Sequence, residues 1–172
     1  MRNSPLVLSV ITLLIFLSGC ALGPHPQNTA EFRKALPDSM FGKKETFFVK
    51  RNIKQVANSF KKMAPKCLRK RVTSTSSGYM HYQVVVTDYN PSVVLRKNHV
   101  ELALQQDHIQ GVMNVTKKPR GGYYMLVTDA FRAGKNKTKI DMYYASVGSD
   151  SIVKAIKGWA NGKKGCPDMT KL

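Results

Sequence analysis

Acidic residues are scarce in this sequence: its 172 residues include 10 Asp and Glu against 28 Lys and Arg, which gives a formal net charge of +18. The carboxylates are mostly single, so the sequence offers no assignment of the two carboxylates that glycoside hydrolysis uses. A Gly-x-Ser-x-Gly nucleophile elbow and a glycine-rich phosphate loop are also missing. These absences leave no recognised catalytic motif, and they favour a non-enzymatic protein.

Long apolar runs are missing as well. The strongest one, from Leu6 to Leu17, has 12 residues and follows the basic residue Arg2. A helix that crosses a bilayer needs about 20 apolar residues, so this run is too short to stay in a membrane. A positive start, a short apolar core and small residues at its end are typical of a secretory signal peptide. Residues 1–19 are therefore predicted to be a signal peptide and are kept out of the fold.

The apolar run ends on the tetrapeptide Leu17-Ser18-Gly19-Cys20. It resembles the lipobox of bacterial lipoproteins, in which a branched apolar residue and two small residues precede a cysteine. The resemblance implies that a peptidase cuts before Cys20, and that acyl chains are attached to its thiol and its new amine. Two or three acyl chains would hold the protein on a membrane, because a single chain binds only marginally.

The residue after Cys20 is Ala21 and not Asp. In Gram-negative lipoproteins this implies the outer membrane, with the domain facing the periplasm. Residues 20–30 contain two prolines and a glycine, so we interpret them as a lipidated tether. Residues 31–172 are then predicted to form one domain in the cell envelope.

Cysteine is also rare, with three residues in the chain. If Cys20 is acylated, Cys67 and Cys166 remain as an even pair in an oxidising compartment, and this favours a disulfide bond. The alternative is a reactive thiol at Cys67, because Lys66, Arg69 and Lys70 could lower its pKa.

Only one basic residue, Arg2, lies in the signal peptide, so the mature chain has 27 basic and 10 acidic residues, a net charge of +17. In an exported protein this charge points away from nucleic acid and towards anionic lipid, lipopolysaccharide or an acidic envelope protein. A solvated surface kept soluble by like charge is the alternative. The candidate anion-binding residues cluster near the ends of predicted elements: Lys66, Arg69, Lys70, Arg71, Lys117, Lys118, Arg120, Lys135, Lys137 and Lys139.

Hydrophobic periodicity predicts a strand over residues 45–51 and an amphipathic helix that starts at a capping box of Asn52 and Gln55 and ends at Pro65. Period-two alternation from residue 71 to residue 147, including a run at 112–118, predicts about five further strands. Turns are predicted at 90–91, 119–122 and 134–137, with a strand break near Asp107 and Gly111. A second helix is predicted to begin at Ser149 or Asp150 and to end at Gly162.

These elements predict an α+β domain in the order β-α-β(5)-α, with an antiparallel sheet of about six strands and two helices on one of its faces. The order resembles the helix-grip arrangement, in which a curved sheet wraps a long helix, as in lipid-binding domains and some envelope assembly lipoproteins. That resemblance implies a second hypothesis, a carrier of lipid or another hydrophobic ligand between the sheet and the last helix. We expect Trp159, the only tryptophan, to be a core anchor instead.

A third hypothesis is an envelope hydrolase built on His99, Glu101 and His108. His99 and Glu101 lie two residues apart in a predicted strand, so both side chains leave the same face. The hypothesis requires His108 to converge on them. No set of metal ligands and no cofactor is predicted, because a third convergent ligand is missing from the pattern.

Overall fold

The computed structural model describes residues 25–77, 82–110 and 117–171. Within these ranges the chain forms six strands and three α-helices. The strands are β1 (Gly42–Val49), β2 (Lys70–Ser77), β3 (Tyr82–Arg96), β4 (His99–Gln110), β5 (Tyr123–Gly134) and β6 (Lys137–Ala145). The helices are α1 (Thr29–Ala35), α2 (Ile53–Leu68) and α3 (Asp150–Ala160). Cys20 and most of the run predicted as a strand at 112–118 lie outside the described residues.

The strands form one antiparallel sheet in the order β1-β6-β5-β4-β3-β2. Strands β2 to β6 follow one another as a meander, and β1 joins its far side by pairing with β6. The connection from β1 to β2 therefore crosses the whole sheet, and α2 makes that crossing. The predicted α+β class, the six strands and the order β-α-β(5)-α are confirmed.

One face of the sheet carries the main core. Helices α2 and α3 pack side by side on it, and Phe60, Leu102, Ile140, Ile156 and Trp159 are completely buried there. The indole Nε1 of Trp159 donates a hydrogen bond of 2.7 Å to the carbonyl of Gly165. Both predicted helices thus share one face, and Trp159 is the expected core anchor.

Helix α2 begins as predicted, because Asn52 and Gln55 form both hydrogen bonds of a capping box. Its predicted end at Pro65 is wrong, since the helix continues to Leu68. Proline costs a helix one backbone hydrogen bond. Of the three helix residues after Pro65, Cys67 and Leu68 are 1% and 0% exposed, so their burial offsets that loss.

The predicted disulfide is confirmed. Cys67 in the last turn of α2 is bonded to Cys166, which lies in the segment after α3, at a sequence separation of 99 residues. The bond ties both core helices together on the same side of the sheet.

Two predicted strand boundaries are wrong. Asn90 and Pro91 do not form a turn but lie inside β3, and β4 runs through Asp107 and ends at Gln110, while Gly111 lies outside the described residues. A proline fits here because β2 pairs with β3 only as far as Tyr89, so Pro91 lies where β3 is a sheet edge among the described residues. The turn between β3 and β4 comes at residues 97–98 instead.

Helix α1 was not predicted, and it begins inside the segment interpreted as a tether. The side chain of Asn28 caps it by accepting a hydrogen bond of 2.9 Å from the backbone N–H of Glu31. Phe32 and Leu36 are buried against Ala103 and Val127, on the face of the sheet opposite the main core. The folded domain therefore starts before residue 31, and its sheet is covered on both faces.

Candidate functional site

The candidate site is the end of the sheet at which three connections meet. At this end His99 is paired with Phe131, and the N–H of Arg132 donates a hydrogen bond of 3.2 Å to the carbonyl of Asn98. This bond joins the β3–β4 hairpin to the β5–β6 hairpin. The β1–α2 connection lies beside them, because Val49 is paired with Thr138.

These connections carry a cluster of exposed cations, which we call the basic tip: Lys50, Lys54, Arg96, Lys97, Arg132, Lys135 and Lys137. The sequence has no Asp or Glu in residues 46–58, 92–100 or 130–140. In the part of the chain that the structure describes, none of these cations forms an ion pair with a carboxylate. The positive charge of the basic tip is therefore uncompensated.

Two shallow depressions flank Lys54 in the basic tip. One has a volume of about 280 Å³ and is lined by Arg96 and Lys97, and the other has about 330 Å³ and is lined by Arg132 and Lys135. Both are open to solvent and bordered by cations, so small anionic groups such as phosphates could enter them.

Apolar side chains are exposed among these charges. Phe48 is 55% exposed, Leu95 is 48% exposed and Phe131 is 37% exposed. The ammonium of Lys137 lies 4.4 Å from the centroid of the Phe48 ring, within the range of a cation–π contact. Cations beside exposed aromatic rings suit an interfacial anionic surface better than free solvent.

The predicted anion-binding residues do not form one surface. Lys135 and Lys137 lie in the basic tip, and Lys139 lies next to it but is bound to Asp141 at 2.9 Å. The others lie away from the tip: Lys66, Arg69, Lys70, Arg71, Lys117, Lys118 and Arg120. Of these, Arg71 pairs with Asp88 at 2.7 Å and Lys118 pairs with Asp107 at 2.6 Å.

Five residues of the basic tip are not among the predicted anion-binding residues: Lys50, Lys54, Arg96, Lys97 and Arg132. They come from three separate segments, which only the strand pairing brings together. The available signal was the absence of acidic residues from all three segments.

On the face of the sheet that α1 covers, three carboxylates lie in register on neighbouring strands. Glu101 on β4 is paired with Asp129 on β5, which is paired with Asp141 on β6. We call them the carboxylate row. Arg33 of α1 donates to both oxygens of Asp129, at 2.6 and 2.7 Å, and to Glu101.

Positive and hydroxyl groups saturate the carboxylate row. Burial alone would lower the pKa of Arg33, but its hydrogen bonds to Asp129 and Glu101 and their charges outweigh burial and raise it. Burial likewise favours the neutral form of Asp141, yet hydrogen bonds from Thr46 and Lys139 hold the pKa of this carboxyl below its usual value. The row is thus built to fasten α1 to the sheet.

The three residues of the hydrolase hypothesis do not converge. His99 and Glu101 do share the face of the carboxylate row, where His99 Nε2 lies 2.7 Å from Asp129 Oδ1. His108 instead contacts Thr87 through Nδ1 at 3.0 Å, near the other end of β4. The two histidines are nine positions apart in the strand, a distance of about 30 Å. Among the described residues, no group of three or more His, Cys, Asp and Glu side chains is placed to hold a metal ion.

The space that a hydrophobic ligand would need between the sheet and α3 is filled. Ile152, Ile156 and Trp159 of α3 are completely buried in the main core. An apolar pocket of about 250 Å³ lies on the other face, between α1 and the sheet, and it is lined by His25, Phe32 and Tyr124. Because α3 is packed directly on the sheet, the carrier hypothesis lacks the cavity that it requires there.

Comparisons with known proteins give no family. No protein-family model matches the sequence, and no curated protein matches it. A crystal structure of the hypothetical protein jhp0584 from Helicobacter pylori is similar at a TM-score of 0.37 and 10% sequence identity, over 83% of this chain and 95% of that chain. This likeness is too low to carry an argument about function. Within the described residues, no helix is long and apolar enough to span a bilayer.

Proposed function

We propose that this protein is an envelope lipoprotein, anchored by acyl chains on Cys20, whose domain is a non-enzymatic binding module. Its basic tip contacts phosphate groups on an anionic envelope surface. The anchor rests on the lipobox resemblance of residues 17–20, which follow a short apolar run as they do in bacterial lipoproteins.

The uncompensated charge of the basic tip is the observation that carries the binding function. Each Lys or Arg near an anionic surface contributes about 1 kcal/mol, within a distance set by ionic strength. The basic tip has several such residues at three adjoining connections, and the carboxylates of the carboxylate row are already paired with Arg33 and Lys139. A surface of this kind attracts anions at low salt and loses the attraction as salt rises.

The position of the tether supports this arrangement. His25, the first described residue, contacts the ring of Tyr123 at 4.7 Å, where β5 begins. The basic tip lies where β5 ends, and the strand has 12 residues, so the two are about 40 Å apart. A domain held at one end of the sheet can present the basic tip at the other end.

The test uses soluble protein that starts at Ala21, so that binding does not depend on the anchor. We expect it to co-sediment with vesicles of phosphatidylglycerol and phosphatidylcholine at low salt, and to be released at about 0.5 M salt, where the Debye length is below about 5 Å. Vesicles of phosphatidylcholine alone should not retain it. A parallel arm with lipopolysaccharide micelles distinguishes the two sources of phosphate.

A charge-reversal pair locates the binding surface. Lys135→Glu with Lys137→Glu should weaken binding at least 30-fold at low salt, because about 2 kcal/mol of attraction is removed. Lys61→Glu with Lys62→Glu is the matched control, since these exposed lysines lie on α2 away from the basic tip. Equal loss of binding in both double variants would show non-specific charge attraction. If the protein binds neither the vesicles nor the micelles, the proposed contact with phosphate groups is rejected, and an acidic protein becomes the candidate partner.

A further inference from the structure

Three large apolar side chains are exposed at the end of the sheet opposite the basic tip. Met40 is 89% exposed, Phe41 is 56% exposed and Val147 is 71% exposed. They lie next to the pairing of Gly42 with Ala145, where β1 begins and β6 ends. We call these three residues the apolar rim.

Backbone hydrogen bonds fix the segment that carries Met40 and Phe41 of the apolar rim. The carbonyl of Phe41 accepts a hydrogen bond of 2.7 Å from the N–H of Ser146, which joins the segment before β1 to the segment after β6. The N–H of Gly42 donates a hydrogen bond of 3.0 Å to the carbonyl of Ser39. A Cβ atom added to Gly42 would lie 1.7 Å from the carbonyl oxygen of Leu36. A turn this tight keeps Met40 and Phe41 directed outwards.

The tether enters at this same end. Gln27 Nε2 donates a hydrogen bond of 3.1 Å to the carbonyl of Lys117, just before β5. His25 lines one pocket together with Leu36, Ser39 and Ala145, the residues that flank the apolar rim. The first described residue of the chain is therefore a close neighbour of the rim.

Cys20 is five residues before His25. Five residues span at most about 18 Å when fully extended. If Cys20 carries acyl chains, Cys20 at the bilayer is at most about 18 Å from His25, which lies at the end of the sheet that bears the apolar rim.

From these observations we infer that the apolar rim docks on the bilayer that holds the lipidated Cys20, and this inference rests on the anchor in the proposed function. The tether keeps the rim at a high effective concentration near the lipid, so three side chains suffice for a contact that would be weak in a free protein. Lys43, exposed beside the rim, is placed to reach the headgroups. Docking would orient the strands roughly perpendicular to the membrane plane and direct the basic tip away from the anchoring membrane.

The test uses the full mature, lipidated protein in vesicles of phosphatidylcholine, which do not recruit the basic tip by charge. A Met40→Trp variant is compared with an Ala133→Trp variant, whose site is exposed on the β5–β6 hairpin. Trp159 gives a constant background because it is completely buried. With brominated acyl chains, we expect the added fluorescence to be lost in Met40→Trp and kept in Ala133→Trp.

A second set of variants keeps the test decisive. Phe41→Asp with Val147→Asp, added to Met40→Trp, should restore the fluorescence while the protein still floats with the vesicles. Flotation without quenching in Met40→Trp, or equal quenching at both sites, would overturn the docking and leave the anchor intact. Failure of the protein to float would overturn both the anchor and the docking.

Discussion

Replacing Arg33 with methionine tests how α1 is fastened to the sheet. The substitution keeps a long side chain but removes three hydrogen bonds to the carboxylate row, two of them to Asp129. Asp129 and Glu101 are only 5% and 14% exposed, so the change leaves two neighbouring carboxylates buried without their cation. Breaking a buried ion pair from one side costs about 3–5 kcal/mol.

Because the Arg33 side chain is 22% exposed, we expect the lower end of that range, a loss of about 3 kcal/mol in the free energy of unfolding. For a domain of this size the midpoint of thermal unfolding should fall by about 6–12 °C. Urea unfolding followed by the fluorescence of buried Trp159 measures the loss directly.

Arg71→Met is the matched control for this prediction. Arg71 makes a two-point ion pair with Asp88 at 2.7 Å, but its side chain is 65% exposed, so solvent screens the interaction. Adding Glu101→Gln to Arg33→Met should recover part of the lost stability, because one uncompensated charge is then removed. If Arg33→Met costs no more than Arg71→Met, the carboxylate row does not anchor α1.

Three further predictions concern the main core. Replacing Cys67 and Cys166 with serine frees a loop of 99 residues and should lower the free energy of unfolding by about 4.7 kcal/mol in the chain-entropy treatment. Urea titration measures this loss, and an unchanged unfolding midpoint would contradict the prediction. Burial raises the pKa of Tyr89, so the contribution of its neutral form to the free energy of unfolding is fully present below pH 10 and falls by up to about 1.4 kcal/mol per pH unit above it. Tyr89→Phe should flatten this slope in unfolding curves at pH 9–11.5, and an identical slope would refute the assignment. Arg51 donates hydrogen bonds of 3.0 Å to the carbonyls of Trp159 and Ala160, at the end of α3. Arg51→Met should therefore lower the free energy of unfolding by about 1.5–3 kcal/mol and speed amide hydrogen exchange in α3. Unchanged exchange in α3 would exclude this capping role.

The parts of the fold that the sequence predicts well depend on local patterns. The capping box at Asn52, the period-two strands and the apolar face of α3 each specify an element within a few residues. The disulfide could be predicted because removing Cys20 left a single pair. The end of α2 was misplaced because the penalty of Pro65 is local, whereas the burial that offsets it comes from the sheet.

The candidate site was harder to predict for the same reason. The residues of the basic tip come from segments at least 35 positions apart, as Lys97 and Arg132 are, and only the strand order brings these segments together. The basic groups at 117–120 and 132–139 were predicted to bracket one strand and to lie at opposite ends of the sheet, and β5 places them there. Ion pairs such as Lys118 with Asp107 also cancel charges that the sequence counts in full.

The edge of β3 beyond Tyr89 has a consequence for molecules crowded on one membrane. If copies are anchored through Cys20 as proposed, they diffuse in two dimensions and meet often, and a strand edge that is unpaired among the described residues invites a neighbour to add its own strand. Pro91 has no N–H that could bond to an added strand. Arg96 and the adjacent Lys97 place positive charge at the same edge, so two copies of the protein repel each other there. These residues should keep densely packed copies separate, so the protein can accumulate on a surface without polymerising there.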